Sequence, residues 1–79
     1  MFHLSIKSLD KNIFEGEAES LTLPSTDGEL TILEDHIPLI ATLKEGKLWF
    51  RAGREKPELS IRSGVLEVSQ EKVIVLVNI

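Results

Sequence analysis

Apolar residues recur at every second position along much of this 79-residue chain, and that alternation is the tightest constraint on its fold. Successive side chains of an extended strand point to opposite faces, so a period of two marks a ribbon with one buried face. "FHLSIKS" sets Phe2, Leu4 and Ile6 against His3, Ser5 and Lys7. The pattern continues through Leu21 and Leu23, Leu30 and Ile32, Leu48 and Phe50, Leu59 and Ile61, then Val65 to Val68. Val73 to Val77 is apolar at every position, which predicts a strand covered on both faces. No segment keeps apolar residues at i, i+3, i+4 and i+7 over the ~10–12 residues that a helix needs.

Turn signals punctuate these runs: "EG" at 15–16, "STDG" at 25–28, "KEG" at 44–46, "AGREKP" at 52–57, "SG" at 63–64 and "QEK" at 70–72. Short strands at such spacing predict an all-β fold, an antiparallel sandwich or barrel. Pro38 pushes Ile37 toward an extended conformation and removes one ladder donor. "HIPLIATL" therefore starts as an edge, bulge or bend before rejoining the sheet, with His36 beside irregular backbone. The neighbours Trp49 and Phe50 must point to opposite faces of their strand, either one into the core and one to an outer face or interface, or both into packed surroundings on a strand covered twice. There is no linker, repeat or low-complexity tract, so residues 1–79 read as one domain.

A domain this small buries only about 60–65% of its unfolded surface, which leaves a thin stability margin without a partner. Without cysteine, no disulfide or thiolate metal site adds to the core, and a reducing compartment fits. The net charge of −4 and the scattered lysines and arginines argue against nucleic-acid binding. Arg51, Arg54, Lys56 and Arg62 read as a solvated rim. The longest apolar run, five residues at 73–77, is far short of the ~20 of a membrane-spanning helix. "MFHLSIKSLDK" lacks the basic start and long apolar core of a signal peptide, so a cytosolic, matrix or stromal location is expected.

The one cluster that suggests chemistry is Glu34-Asp35-His36. On a strand, Glu34 and His36 share a face and Asp35 takes the other, which leaves one imidazole and one carboxylate. Zinc takes three or four protein ligands, and His3 lies far off in sequence. No G-x-S-x-G elbow marks an activated serine, and "RSGV" reads as a strand-to-strand bend. Neither phosphate-cradling glycine motif occurs, and a chain this short offers little room for a two-carboxylate sugar cleft. The expectation is a non-enzyme without metal or cofactor. An exposed Trp49 would then be a candidate anchor for a protein partner.

The order of the pieces adds a resemblance. Phe14 and Gly16 in "IFEGEAESLTLP", Gly28 and Ile32 in "DGELTIL", and His36, Pro38 and Leu39 in "HIPLI" follow one another at characteristic spacing. Leu43 and Gly46 in "LKEG" and Gly64, Glu67 and Val68 in "SGVLEV" complete the set. Together they resemble, over essentially the whole chain, the N-terminal domain of the epsilon subunit of F-type ATP synthases. The family often has Gly where Thr31 stands and Pro-Gly where Glu34-Asp35 stand, so the turn here is more acidic and less permissive.

The resemblance implies a flattened ten-stranded antiparallel β-sandwich in the rotor's central stalk. It implies a non-catalytic subunit that couples c-ring rotation to the gamma subunit in proton-driven ATP synthesis. Glu29, Leu30 and Thr31 match a tip facing the polar loops of the c-ring, and Ser8, His36 and Ala41 match positions facing gamma. The implied location is peripheral, on the cytoplasmic side of a bacterial plasma membrane, without direct insertion. Longer members add a helical hairpin that inhibits ATP hydrolysis and in some binds ATP. A chain ending at "VIVLVNI" is expected to lack that domain and both properties. The alternative, from another class, is a free-standing β-sandwich interaction module.

Overall fold

The computed structural model describes residues 1–79, and every regular element in it is a strand. The strands are β1 (Phe2–Lys7), β2 (Asn12–Ala18), β3 (Ser20–Ser25), β4 (Gly28–Leu33) and β5 (Leu39–Leu43). They continue with β6 (Gly46–Arg51), β7 (Glu58–Ile61), β8 (Ser63–Val68) and β9 (Lys72–Asn78). All nine belong to one hydrogen-bonded sheet that curls over on itself into two layers. The first layer runs β2-β1-β9-β8-β5, and the second runs β4-β3-β6-β7. They join where Ser25 of β3 pairs with Leu43 of β5, flanked by Thr26 N–H to Thr42 O and Lys44 N–H to Pro24 O at 2.9 Å each.

The alternation read from the sequence is what fills the space between the layers. Leu4 and Ile6 of β1, Leu21 and Leu23 of β3, Leu48 and Phe50 of β6, Leu66 of β8, and Val73 and Val75 of β9 meet in one buried cluster. Phe14 of β2, in the first layer, meets Phe50 of β6, in the second, with ring centroids 4.5 Å apart. Truncating one fully buried leucine such as Leu23 removes transfer energy and leaves a cavity, at a cost of about 2–5 kcal/mol.

Several details depart from the sequence expectations. There are nine strands, where ten were expected; the short Ala52–Glu55 bridge only closes the β6–β7 loop. The sandwich is antiparallel except for β1 and β9, the first and last strands, which run parallel side by side. A parallel neighbour needs a long crossover, and here the intervening chain supplies it. The "EG" at 15–16 is not a turn: it lies inside β2, and the reversal occurs at Ser8–Lys11. Gly16 pairs with Leu4, and a Cβ there would sit 3.2 Å from the Phe14 ring, tighter than an ordinary contact. Nor is Gly64 in a bend; only Arg62 breaks the chain there, and Gly64 pairs with Val77 inside the sheet. A Cβ at Gly64 would lie 2.5 Å from the backbone carbonyl oxygen of Leu76, so this is a site of close strand approach.

Candidate docking faces

The β3–β4 hairpin turns through Thr26 and Asp27, with Ser25 Oγ donating to the Gly28 carbonyl and accepting from Asp27 N–H. Gly28 takes φ 121°, a region that a side chain at this position would strain against. Glu29 and Thr31 follow it on the outward side of β4, exposed. Leu30 points the other way and packs against the core. Of the three tip residues, two therefore lie on one outer face and the third supports them from inside.

The acid–acid–histidine cluster is not on a strand. β4 ends at Leu33, Glu34 and Asp35 form a turn, and Asp35 sits at φ 65°, so strand alternation does not divide these residues. The two His36 ring nitrogens lie 2.8 Å from the Leu33 carbonyl oxygen and 2.9 Å from that of Ser69. Whichever nitrogen carries the proton donates to backbone. The ring also stands edge-on to Phe2, at 5.5 Å and 85°. His36 thus lies between the end of β4 and the β8–β9 turn, over the start of β1, donating to one of these carbonyls as a neutral ring and to both only when doubly protonated.

Ser8 lies at the opposite end of β1, where its N–H donates to the Lys11 carbonyl at 2.9 Å. Ala41 faces inward and packs on the core, while its neighbours Ile40 and Thr42 face out. Ser8, His36 and Ala41 therefore do not form one cluster: the first two mark opposite ends of the first layer.

Between those ends lies a surface that alternation alone misjudged. Val73, Val75 and Val77 are buried as expected, but Ile74 is half-buried and Leu76 is exposed. No second layer of this chain covers the outer side of β9. Registered rows across it read Ile40–Glu67–Ile74–Ser5 and Thr42–Val65–Leu76–Lys7. Ile40 is 74% exposed, Val65 44% and Leu76 51%, and Leu9 beyond them at the β1–β2 turn is 99% exposed. Ile37, ahead of Pro38, is exposed as well. The signal that could have found this face was the continuous 73–77 run itself, two of whose five side chains, Ile74 and Leu76, meet no partner layer.

At the β2 margin of the same layer, His3 lies between two carboxylates, bonded to Glu15 and 3.6 Å from Glu17. The His3 bond first, and the Ser5 hydroxyl second, hold the Glu15 carboxyl below its ordinary range. Glu34 is also lowered, by the Met1 ammonium that bonds it, and that ammonium is raised in return by the same contact. No group of three or more metal-ligating side chains converges anywhere in the fold. No helix is long and apolar enough to cross a membrane.

Comparison with known proteins agrees with this architecture. The model of the family described as the ATP synthase, Delta/Epsilon chain, beta-sandwich domain matches residues 1–79. An ATP synthase epsilon chain of Prochlorococcus marinus (strain AS9601) is 39% identical over 75 residues, covering 95% of this chain and 56% of the relative. One from Synechococcus sp. (strain RCC307) is 39% identical over 69 residues, 87% of this chain and 51% of that one. The chain thus spans about half the length of these relatives.

Two solved chains share the fold. One comes from the central stalk/c-ring of the Tetrahymena thermophila mitochondrial ATP synthase, with TM-score 0.86, 13% identity, and 99% of this chain and 63% of that chain covered. The other comes from the Euglena gracilis mitochondrial ATP synthase, OSCP/F1/c-ring, with TM-score 0.84, 24% identity, and 98% and 49% coverage. By the match of its whole length and by the identity of these relatives, the chain belongs to the ATP synthase delta/epsilon chain β-sandwich family.

Proposed function

We propose that this chain is a non-catalytic central-stalk subunit of an F-type ATP synthase, one that clamps the gamma subunit to the c-ring. The observation that carries the reading is the uncovered apolar face of the first layer, centred on Ile40, Val65, Ile74 and Leu76. Covering such a face with a partner adds burial, and gamma is the partner that the resemblance implies. Ser8 and His36 bound this face at its two ends, and Ala41 supports Ile40 and Thr42 from beneath. The exposed Glu29 and Thr31 at the β3–β4 hairpin are the contacts offered to the polar loops of the c-ring, with Leu30 as their inner anchor.

The work of such a subunit is mechanical. Two layers on a shared core hold the two contact regions at a fixed separation, so ring rotation reaches gamma as torque. The subunit sits peripherally at the cytoplasmic side of a bacterial plasma membrane, held there by the complex, which couples proton flow to ATP synthesis.

Equilibrium titration of the labelled chain with purified gamma subunit tests the reading. Binding is expected for the wild type and loss of binding for the Ile40→Glu/Leu76→Glu double variant, whose changes lie on the surface. Absence of wild-type binding to gamma, alone or with the c-ring, sinks the proposal; full binding by the double variant sinks this choice of face. A Glu29→Cys chain should crosslink to cysteines placed in the c-ring loops.

A further inference from the structure

The second layer has an outer face of different character. In β6 the core takes Leu48 and Phe50, so Lys47, Trp49 and Arg51 project outward together. Trp49 is half-buried, in register with Thr22 of β3 on one side and Glu58 of β7 on the other. Beyond Thr22 stands Thr31, its hydroxyl 3.1 Å from that of Thr22. Arg54 and Lys56, with Glu55 between them, follow as exposed residues of the β6–β7 loop.

Charge along the sequence leans the same way. Six of the nine Lys and Arg residues but only three of the thirteen Asp and Glu residues fall between 44 and 62, so that segment carries +3 and the remainder −7. Lys47 has one carboxylate within reach, Glu58 at 3.9 Å, and both are well exposed. Arg51, Arg54 and Lys56 have none within 4 Å. A merely solvated rim needs no such sorting, and it does not require a tryptophan between its charges.

We infer that the Lys47–Trp49–Arg51 stripe, with Arg54 and Lys56 at its end, docks a short extended acidic segment of a protein partner, independently of the apolar face on the first layer. Tryptophan and arginine are the side chains that most often anchor protein interfaces, because each offers large area with a fixed polar edge. Unpaired guanidinium groups favour carboxylates, which they can grip with two parallel bonds. A short acidic segment lying along β6 meets these cations and stays clear of the −7 elsewhere. Glu58 stands beside Trp49 for any anionic ligand, but a short segment can set its carboxylates beside Arg51 and Arg54 and leave Glu29 uncovered, which a long polyanion or an anionic membrane cannot.

Trp49 is the only tryptophan, so its emission reports on this face alone. The chain is titrated at low ionic strength with a synthetic peptide of alternating Glu, Asp and Leu. A saturable change in emission is expected, weakened about tenfold by Arg51→Glu with Arg54→Glu and lost in concentrated salt on the wild type. Ile40→Glu should leave the titration unchanged, which separates this site from the gamma-facing one. No change in emission at low salt would overturn the inference, as would an equal response to a Lys/Leu peptide. A stronger response to phosphatidylglycerol vesicles or to a single-stranded oligonucleotide than to the acidic peptide would also overturn it, in favour of that ligand.

Discussion

Asp35 shows how a single residue can record the local demands of a fold. Its φ of 65° costs an ordinary L residue about 1–2 kcal/mol, although Asp tolerates it better than most. Glycine relieves that strain but loses about 0.4–1 kcal/mol through a freer unfolded chain. Asp35→Gly is therefore expected to be neutral or stabilising by up to about 1 kcal/mol, and Asp35→Val destabilising by about 1–2 kcal/mol, in urea unfolding. Glu15 bears on pH. Its carboxyl titrates lower in the folded chain than in the unfolded one, so the stability it contributes is present above the ordinary carboxylate range of about 4.5. That contribution is lost as pH falls through the folded value, when the proton that His3 and Ser5 oppose is finally taken up. Thermal melts of Glu15→Gln should lie below those of the wild type at neutral pH and converge with them in acid. Both residues were visible in the sequence, but neither the Asp35 backbone nor the Glu15 partners were, since each depends on contacts made by the folded chain.

Among the elements, β9 carries the most information. It pairs with β1 on one edge and β8 on the other, buries Val73, Val75 and Val77, and leaves Ile74 and Leu76 facing outward. Its spacing from β8 depends on Gly64, whose missing side chain admits the Leu76 carbonyl. Gly64→Ala should cost about 2–3 kcal/mol, because backbone on one strand has to move; a loss below about 0.5 kcal/mol would show that the strands shift freely. Seven of the expected strands were legible as alternating or continuous apolar runs. β2 was not, because Gly16 reads as punctuation and Glu15 and Glu17 as loop, while their outward positions beside His3 are set by pairing with β1. β5 was legible only as a rejoining of the sheet after Pro38, which stands just ahead of it, where its missing N–H costs no ladder bond.

For the whole molecule, the relevant quantity is how much surface so short a chain can bury by itself. A partner that covers the first layer stabilises by mass action, about 2.7 kcal/mol at a hundredfold excess over Kd. In a domain of this size that corresponds to a rise in Tm of roughly 10–20 °C. Gamma subunit is expected to raise the melting temperature of the wild type to that extent and to leave Ile40→Glu/Leu76→Glu unchanged. The sequence by itself determined the all-β class, most of the core-facing residues and the family, because alternation and turn chemistry are local and the ordered motifs span the chain. Only the tertiary structure decided that β1 and β9 lie parallel, that the His36 ring sits between the Leu33 and Ser69 carbonyls, and that Ala41 points inward. It also decided which outer face is apolar and which is cationic. A residue's face follows from period two, but what stands opposite that face depends on how distant strands pair. The 73–77 run could have been a strand covered twice, and the fold covers it once. The polar cluster Glu34-Asp35-His36 is a turn and a histidine between strand ends, beside the apolar outer face of the first layer.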